Sequence, residues 1–416
     1  MGNKAIAISG GVAAPLGFWA VGVQAGIKQK DKYDLAVILS EHLADSAGVY
    51  TRNRVKAHPL LLTQAHLKNG KAQAIVVNSG NANACVGEKG DQAAVIMAES
   101  TAQELGISQE DVIVASTGVI GVELPVNPVR AGIKEASDRL NSHLKEKENQ
   151  REKDWRIEQA HQAALAIMTT DTVEKELAYE LKLSQGTVRI GAIAKGSGMI
   201  HPNMGTMLGF ITTDAQVPAD RLQTLLTQAV DESFNMVTVD GDTSTNDMVV
   251  ILANGASGVA PEGEDWASFS QLIHQVCIDL AKAIARDGEG ATKFLEVVVE
   301  GATDLMQARK IAKSICGSSL VKTAMFGEDA NWGRILAAAG YSGAEFDPDK
   351  TDVYLGHLLM AEHGQGLDFS EEEAKQVLQH REIQVRVNLN EGRERAVAWG
   401  CDLSHGYVEI NGSYRT

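Results

Sequence analysis

Cysteine is scarce and scattered. Among 416 residues there are only Cys85, Cys277, Cys316 and Cys401, and no two of them form a CxxC pair. That argues against a disulfide framework or a zinc site and fits a reducing compartment. Basic residues are outnumbered: 38 Lys and Arg stand against 54 Asp and Glu, a formal charge of −16. Covering nucleic-acid phosphates takes clustered cations, so no nucleic-acid partner is expected. The common catalytic signatures are missing as well: there is no HExxH, no GxSxG, no GxxxxGK[ST] and no GxGxxG opening a helix. The 11 histidines lack ligand spacing, which disfavours a metal hydrolase. "DGDTSTND" at 240–247 begins like a calcium loop. Its sixth and twelfth positions are Thr245 and Ile251 where Gly and Glu are needed, so it reads as a hydrogen-bonded polar turn.

Charge is also absent between Lys4 and Lys28. Such a stretch mimics a signal peptide or a membrane span. Glycines and Pro15 break it, however, and that density of breakers reads as strand and turn within a domain. "MGNKAI" lacks the Ser or Thr of a myristoylation signal. The expectation is a cytoplasmic protein without membrane contact.

What is present is a globular composition, 44% hydrophobic, on a chain too long for one ordinary core. Residues 34–40, 72–80, 111–121, 187–196 and 206–215 read as strands. Residues 91–106 read as a helix ending at Gly106, and 219–234 and 266–286 as further helices. A capped helix is expected over 369–380, with Ser370 as N-cap and Glu373 at N3. The charged stretch 131–156 reads as a solvated helix or surface loop, and residues 396–416 as a closing strand with a short tail. Cys85, among the turn formers of "NSGNANACVG", reads as structural. Pattern alone suggests a doubly wound parallel sheet.

One junction stands out. In "KGSGMIHPNMGTMLGF", residues 195–210, Thr206 follows Gly205 just before an apolar strand. By default such a Thr is a β-branched residue that packs well. Glycine, though, gives the preceding peptide backbone freedom that other residues lack. The Thr206 hydroxyl could attack the Gly205 carbonyl, and hydrolysis would then leave Thr206 as a new N-terminus. Its α-amine, with an ordinary pKa of about 7.7–8.0, could serve as base for its own hydroxyl. Cutting there gives near-equal chains, 1–205 and 206–416. The nucleophile would need oxyanion donors, and "STGVIG" at 116–121 offers a strand end breaking into glycine.

The motif "KGSGMIHPNMGTML" resembles the self-cleavage site of the ArgJ family, the glutamate N-acetyltransferase/ornithine acetyltransferases of arginine biosynthesis. The family pattern has Ala-Thr at the cut, where this chain has Gly205-Thr206. "GGVAAPLGFWAVGVQAGIK", "NSGNANACVG", "STGVIG", "AIMTTDT", "VDGDTSTNDM", "ARDGEGATKF", "FGEDANWGRI" and "EINGSYRT" are similar to family blocks, in family order, from residue 10 to the end.

The resemblance implies an α/β (α+β) sandwich similar to N-terminal-nucleophile hydrolases, ArgJ/DmpA-like, with a smaller C-terminal α/β domain from roughly residue 300. It implies Thr206 as the nucleophile and Thr117 and Gly118 as the oxyanion hole. Substrate contacts would come from Thr169 (with Thr170 as the alternative), Lys195, Thr206, Glu289, Asn411 and Thr416. The implied reaction is ping-pong transfer of acetyl from N-acetylornithine to glutamate, needing no metal or bound cofactor. In some members acetyl-CoA also serves as donor. The implied assembly is a heterotetramer, two of each cleaved chain. An amidase or aminopeptidase of similar fold, passing the acyl group to water, is the alternative. An uncleaved binding protein with an inert Thr206 is a further one.

Overall fold

The computed structural model describes residues 5–28, 31–144, 150–201 and 207–413. Gly205, Thr206 and Thr416 lie outside them. The chain divides into two compact units. The first comprises the described residues of Met1–Gly196, Asn203–Asn235 and Thr243–Leu280, and the second those of Ser197–Pro202, Met236–Asp242 and Ala281–Thr416.

The first unit opens with β1 (Ala5–Ala7), β2 (Phe18–Val23), β3 (Leu35–Tyr50), α1 (His58–His66) and β4 (Lys71–Asn81). Then come α2 (Glu88–Leu105), β5 (Val112–Val119), α3 (Val126–His143), α4 (Gln150–Ala166), β6 (Lys175–Leu183) and β7 (Gly186–Lys195). β8 (Leu208–Thr213) and α5 (Ala219–Asp231) follow; β9 (Val237–Thr238) belongs to the second unit and β10 (Met248–Ala253) to the first. α6 (Gly263–Arg286) carries the chain from one unit into the other.

β3 organises this unit. Along one edge its first half pairs with β2 and its second half with β10, while β4 lines the other edge. The β3–β4 register shifts between Leu39 and Ala44, beside the exposed residues 41–43. An irregularity of this kind bends a strand and lets it serve two parts of a sheet. The strand order is β1-β6-β7-β8-β10-β3-β4-β5, with β2 beside β3. Among the described residues of this sheet, only β8–β10 and β4–β5 are parallel pairs. The doubly wound parallel sheet suggested by pattern is therefore replaced by a mixed one, because β6–β7–β8 and β2–β3–β4 are antiparallel runs.

Strand side chains alternate between faces. Val21, Val37, Val76 and Val114 face α2 and α3 in one core. Phe18, Ile38, Ile75 and Ile113 enter a second core with α4 and with Ile193, Phe210 and Val250 from β7, β8 and β10. The result is an α/β sandwich.

The charged stretch 131–156, expected as a solvated helix or loop, overlaps most of α3 and the start of α4, two helices that each have a buried face. α3 buries Val129, Ile133, Ala136 and Leu140, and α4 buries Ala160, Ala163, Ala164 and Ala166. Alanines let α4 approach β2 closely. A Cβ on Gly22 would sit 2.2 Å from the Gln162 carbonyl oxygen.

In the second unit, β11 (Phe294–Ala302) is followed by α7 (Leu305–Gly317), α8 (Ser319–Phe326) and α9 (Trp332–Gly340). Next come β12 (Asp352–Leu355), β13 (Leu358–Glu362), β14 (Gln365–Gly366), α10 (Glu371–Gln379), β15 (Glu382–Asn388), β16 (Glu394–Cys401) and α11 (His405–Gly412). The sheet order is β14-β13-β12-β15-β11-β16-β9. Ser370 caps α10, accepting from the Glu373 N–H at 3.2 Å. The expected tail after the closing strand is instead α11: the Ser404 hydroxyl accepts from the Gly406 N–H at 3.1 Å and starts a helix.

Gly22→Ala should lower stability by about 1–3 kcal/mol, since backbone of α4 must move out of a packed core. Gly340→Ala, with no atom within 4 Å of the added methyl, should leave it within about 0.5 kcal/mol. Urea midpoints of the two variants check this; equal midpoints would contradict the close approach.

Candidate active site

Thr117 and Gly118 lie near the end of β5, where it runs parallel to β4. Gly118 takes φ +132°, and a Cβ there would lie 2.3 Å from the Gly80 carbonyl carbon. Any side chain would push β5 off β4. Side-chain amides hold the turn, beside a small apolar cluster of Ala57, Ala82, Ala84 and Ile120. Asn246 Nδ2 donates to the Ser116 and Ala82 carbonyls at 2.8 and 2.6 Å. Asn78 accepts from the Ser116 hydroxyl, and Asn81 donates to the Val122 and Glu123 carbonyls. The stretch around 240–247 thus does behave as a polar, hydrogen-bonded turn, and "NSGNAN" is the scaffold beneath "STGVIG".

Lys195, at the end of β7, is buried and donates from Nζ to Thr117 Oγ1 at 3.1 Å. Asp171 holds the neighbouring chain. Its carboxylate accepts from Lys175 Nζ at 2.7 Å, from the Gly196 N–H at 2.7 Å and from the Thr169 N–H at 3.0 Å. Burial by itself would raise the Asp171 pKa. The Lys175 and Lys195 charges and these hydrogen bonds outweigh it and hold the carboxyl well below the usual carboxylate range. Lys28 reaches the same region, donating to the Met168 and Tyr33 carbonyls at 2.6 and 3.0 Å. Burial lowers its pKa to about 8, with Asp34 and Asp171 pulling the other way.

The second unit holds another cluster. Glu289 is buried and accepts from Asn411 Nδ2 at 2.7 Å. Gly198 makes room for it, because a Cβ there would fall 2.2 Å from the Glu289 carboxyl carbon. The Glu289 N–H donates to the Ser197 carbonyl, and the Ser197 hydroxyl donates to the Asp287 carbonyl. Asp240 accepts from the Met199 and Ile200 N–H groups at 2.5 and 2.9 Å. Burial raises the Asp240 pKa despite those bonds. Burial, then Asp240, Glu289 and Asp242, raise that of Tyr407.

Of the residues singled out in the sequence, Thr117, Gly118, Lys195 and Thr169 gather in the first unit through direct contacts and through Asp171. Glu289 and Asn411 pair in the second. Thr206, Gly205 and Thr416 lie outside the described residues. Sequence reasoning missed Asp171, Lys175, Lys28 and Asp240. The signal that could have found Asp171 is an acid directly after "MTT", in a block already marked by its neighbours. Among the described residues, no group of three or more His, Cys, Asp or Glu side chains could hold a metal ion, and no helix is long and apolar enough to cross a membrane.

Comparison with known proteins finds the model of the ArgJ family matching residues 19–416. An arginine biosynthesis bifunctional protein ArgJ from Symbiobacterium thermophilum is 52% identical over 98% of this chain and 99% of that protein. The protein of the same name from Thermotoga neapolitana is 50% identical over 97% of this chain and 99% of its own. A crystal structure of arginine biosynthesis bifunctional protein ArgJ from Bacillus halodurans is 48% identical, covering 49% of this chain and 97% of that one, with a TM-score of 0.47.

Asp171→Asn keeps the shape and removes the charge, leaving buried lysines facing a neutral amide. Stability at pH 7 should drop by about 3–5 kcal/mol. A depressed carboxyl pKa stabilises fully above the unfolded value of about 3.9 and loses that contribution as pH falls toward the native value. The gap between variant and parent should therefore narrow below about pH 4. Denaturation at pH 7 and pH 3.5 checks this, and a gap unchanged with pH would contradict the ionic role of Asp171.

Proposed function

Because this chain belongs to the ArgJ family, we propose that it is an acetyltransferase of arginine biosynthesis, moving acetyl from N-acetylornithine to glutamate. The observation that carries this is the family match over residues 19–416, which spans the Gly205-Thr206 junction. Self-cleavage there separates chains 1–205 and 206–416 and frees the Thr206 amine. Thr206 Oγ attacks the acetyl carbonyl while the amine takes its proton. The carbon–nitrogen bond breaks, ornithine leaves with a proton on its nitrogen, and an acetyl ester remains on Thr206. The glutamate amine attacks that ester, the Thr206 oxygen recovers a proton, and N-acetylglutamate departs. Acetyl-CoA entering as a second donor would make the enzyme bifunctional.

Each side chain takes the task its chemistry suits. Backbone N–H groups at Thr117 and Gly118 face the oxyanion. Lys195 pairs the substrate carboxylate and Thr169 contacts it alongside. Glu289, held by Asn411, receives a substrate amine, and Thr416 contacts the substrate as well. The 3.1 Å bond from Lys195 to Thr117 supports placing carboxylate recognition beside the oxyanion donors. The cleaved chains assemble as a heterotetramer in the cytoplasm.

Ornithine release should separate transfer from hydrolysis. Without glutamate, purified enzyme should release about one ornithine per site and stop, as an acyl-enzyme accumulates. With glutamate, release should continue and match N-acetylglutamate formed. Sustained release with free acetate in the absence of glutamate would make the protein an amidase. Thr206→Ala should lose cleavage and turnover by several orders of magnitude.

A further inference from the structure

We propose that Lys28 is a second cation of the carboxylate-recognition end of this site, acting beside Lys195. This rests on the assignment of Lys195 and Thr169 to the substrate given above. Lys28 lies in the block "QAGIK", far from either residue in sequence, and the fold delivers it to them. Its Nζ donates to the Met168 carbonyl at 2.6 Å, the residue before Thr169. Its Cγ packs over Gly80, where a Cβ would sit 2.9 Å away. Gly80 in turn pairs with Gly118 across β4 and β5.

The segment carrying Lys28 is fixed, not draped. Asp34 is fully buried and accepts from the N–H groups of Ala25, Ile27 and Lys28 at 2.6, 2.6 and 2.9 Å. One carboxylate therefore dictates where residues 25–28 run and aims the lysine inward. The groups acting on Lys28 are Asp34, Lys195, Asp171 and the exposed Lys32. Lys175 joins them through Asp171. Setting Lys32 aside, the cluster among the described residues holds the ammonium groups of Lys28, Lys175 and Lys195 and the carboxylates of Asp34 and Asp171. Lys28 thus adds a second ammonium group near Lys195, and a substrate carboxylate is the group that such a pair of cations attracts.

The proposal has a pH signature. Burial places Lys28 near pH 8 rather than in the usual lysine range. As pH rises through about 8, Lys28 loses its charge, the attraction for the substrate carboxylate weakens and KM rises. The Thr206 amine titrates in the same range but acts on turnover, so KM and kcat separate the two groups.

The experiment measures KM and kcat for N-acetylornithine between pH 6.5 and pH 9.5 in the full-length enzyme, Lys28→Arg and Lys28→Met. Lys28→Arg keeps a donor and a charge that does not titrate here. Its KM at pH 7 should stay within a few-fold of the parent, and the rise in KM near pH 8 should disappear. Lys28→Met should raise KM about tenfold or more at pH 7 and leave it flat with pH. Should Lys28→Met fail to fold, Lys28→Arg decides alone. A KM rise near pH 8 that survives in Lys28→Arg overturns the proposal, as does a Lys28→Met enzyme with parental KM. An inactive parent would instead sink the acetyl-transfer reading.

Discussion

A single buried carboxylate, Asp171, holds the first cluster together. It accepts from a lysine four residues on and from the N–H groups of Thr169 and Gly196. Burying a charge is costly unless it is paired and hydrogen-bonded, and Asp171 is both. Its position links the end of β7, where Lys195 sits, to the "MTT" turn that follows α4. Lys195 then reaches Thr117, and Gly118 accepts a backbone conformation that no larger residue fits. The groups proposed for recognition and for the oxyanion are thus held by hydrogen bonds within the chain itself.

The second unit repeats this economy with two further carboxylates. Glu289 and Asp240 are carboxylates held by backbone N–H groups and by Asn411, with Gly198 leaving room. Residues 197–201, just ahead of the Gly205-Thr206 junction, are tied to this unit by Ser197, Met199, Ile200 and His201. β8, just after it, is woven between β7 and β10 of the first unit. Both sides of the proposed cut are anchored by bonds that do not need the Gly205-Thr206 peptide.

Local signals were legible where one residue decides one feature. Gly106 stops α2 in a left-handed conformation, Ser370 caps α10, and the apolar runs of β4, β5 and β7 are strands. Long-range effects were not. β6 buries Lys175, Ala178, Leu181 and Leu183, a spacing that departs from strict alternation on a strand beside β1 and β7. The alanines of α4 look featureless until Gly22 lies against them. At the proposed site, the motifs singled out Thr117, Lys195 and Glu289 as candidates. Asp171, Lys28 and Asp240 stayed hidden because, besides close neighbours such as Lys175 and Tyr33, each also has a partner 25, 140 or about 40 residues away, and no local spacing announces those distant pairings.

In the proposed mechanism, Thr206 becomes the nucleophile by freeing its own amine. The mass of the purified protein under denaturing conditions tests it most directly. Two chains, 1–205 and 206–416, are predicted. A single chain of 44.4 kDa would leave the Thr206 amine locked in a peptide bond and would contradict the mechanism.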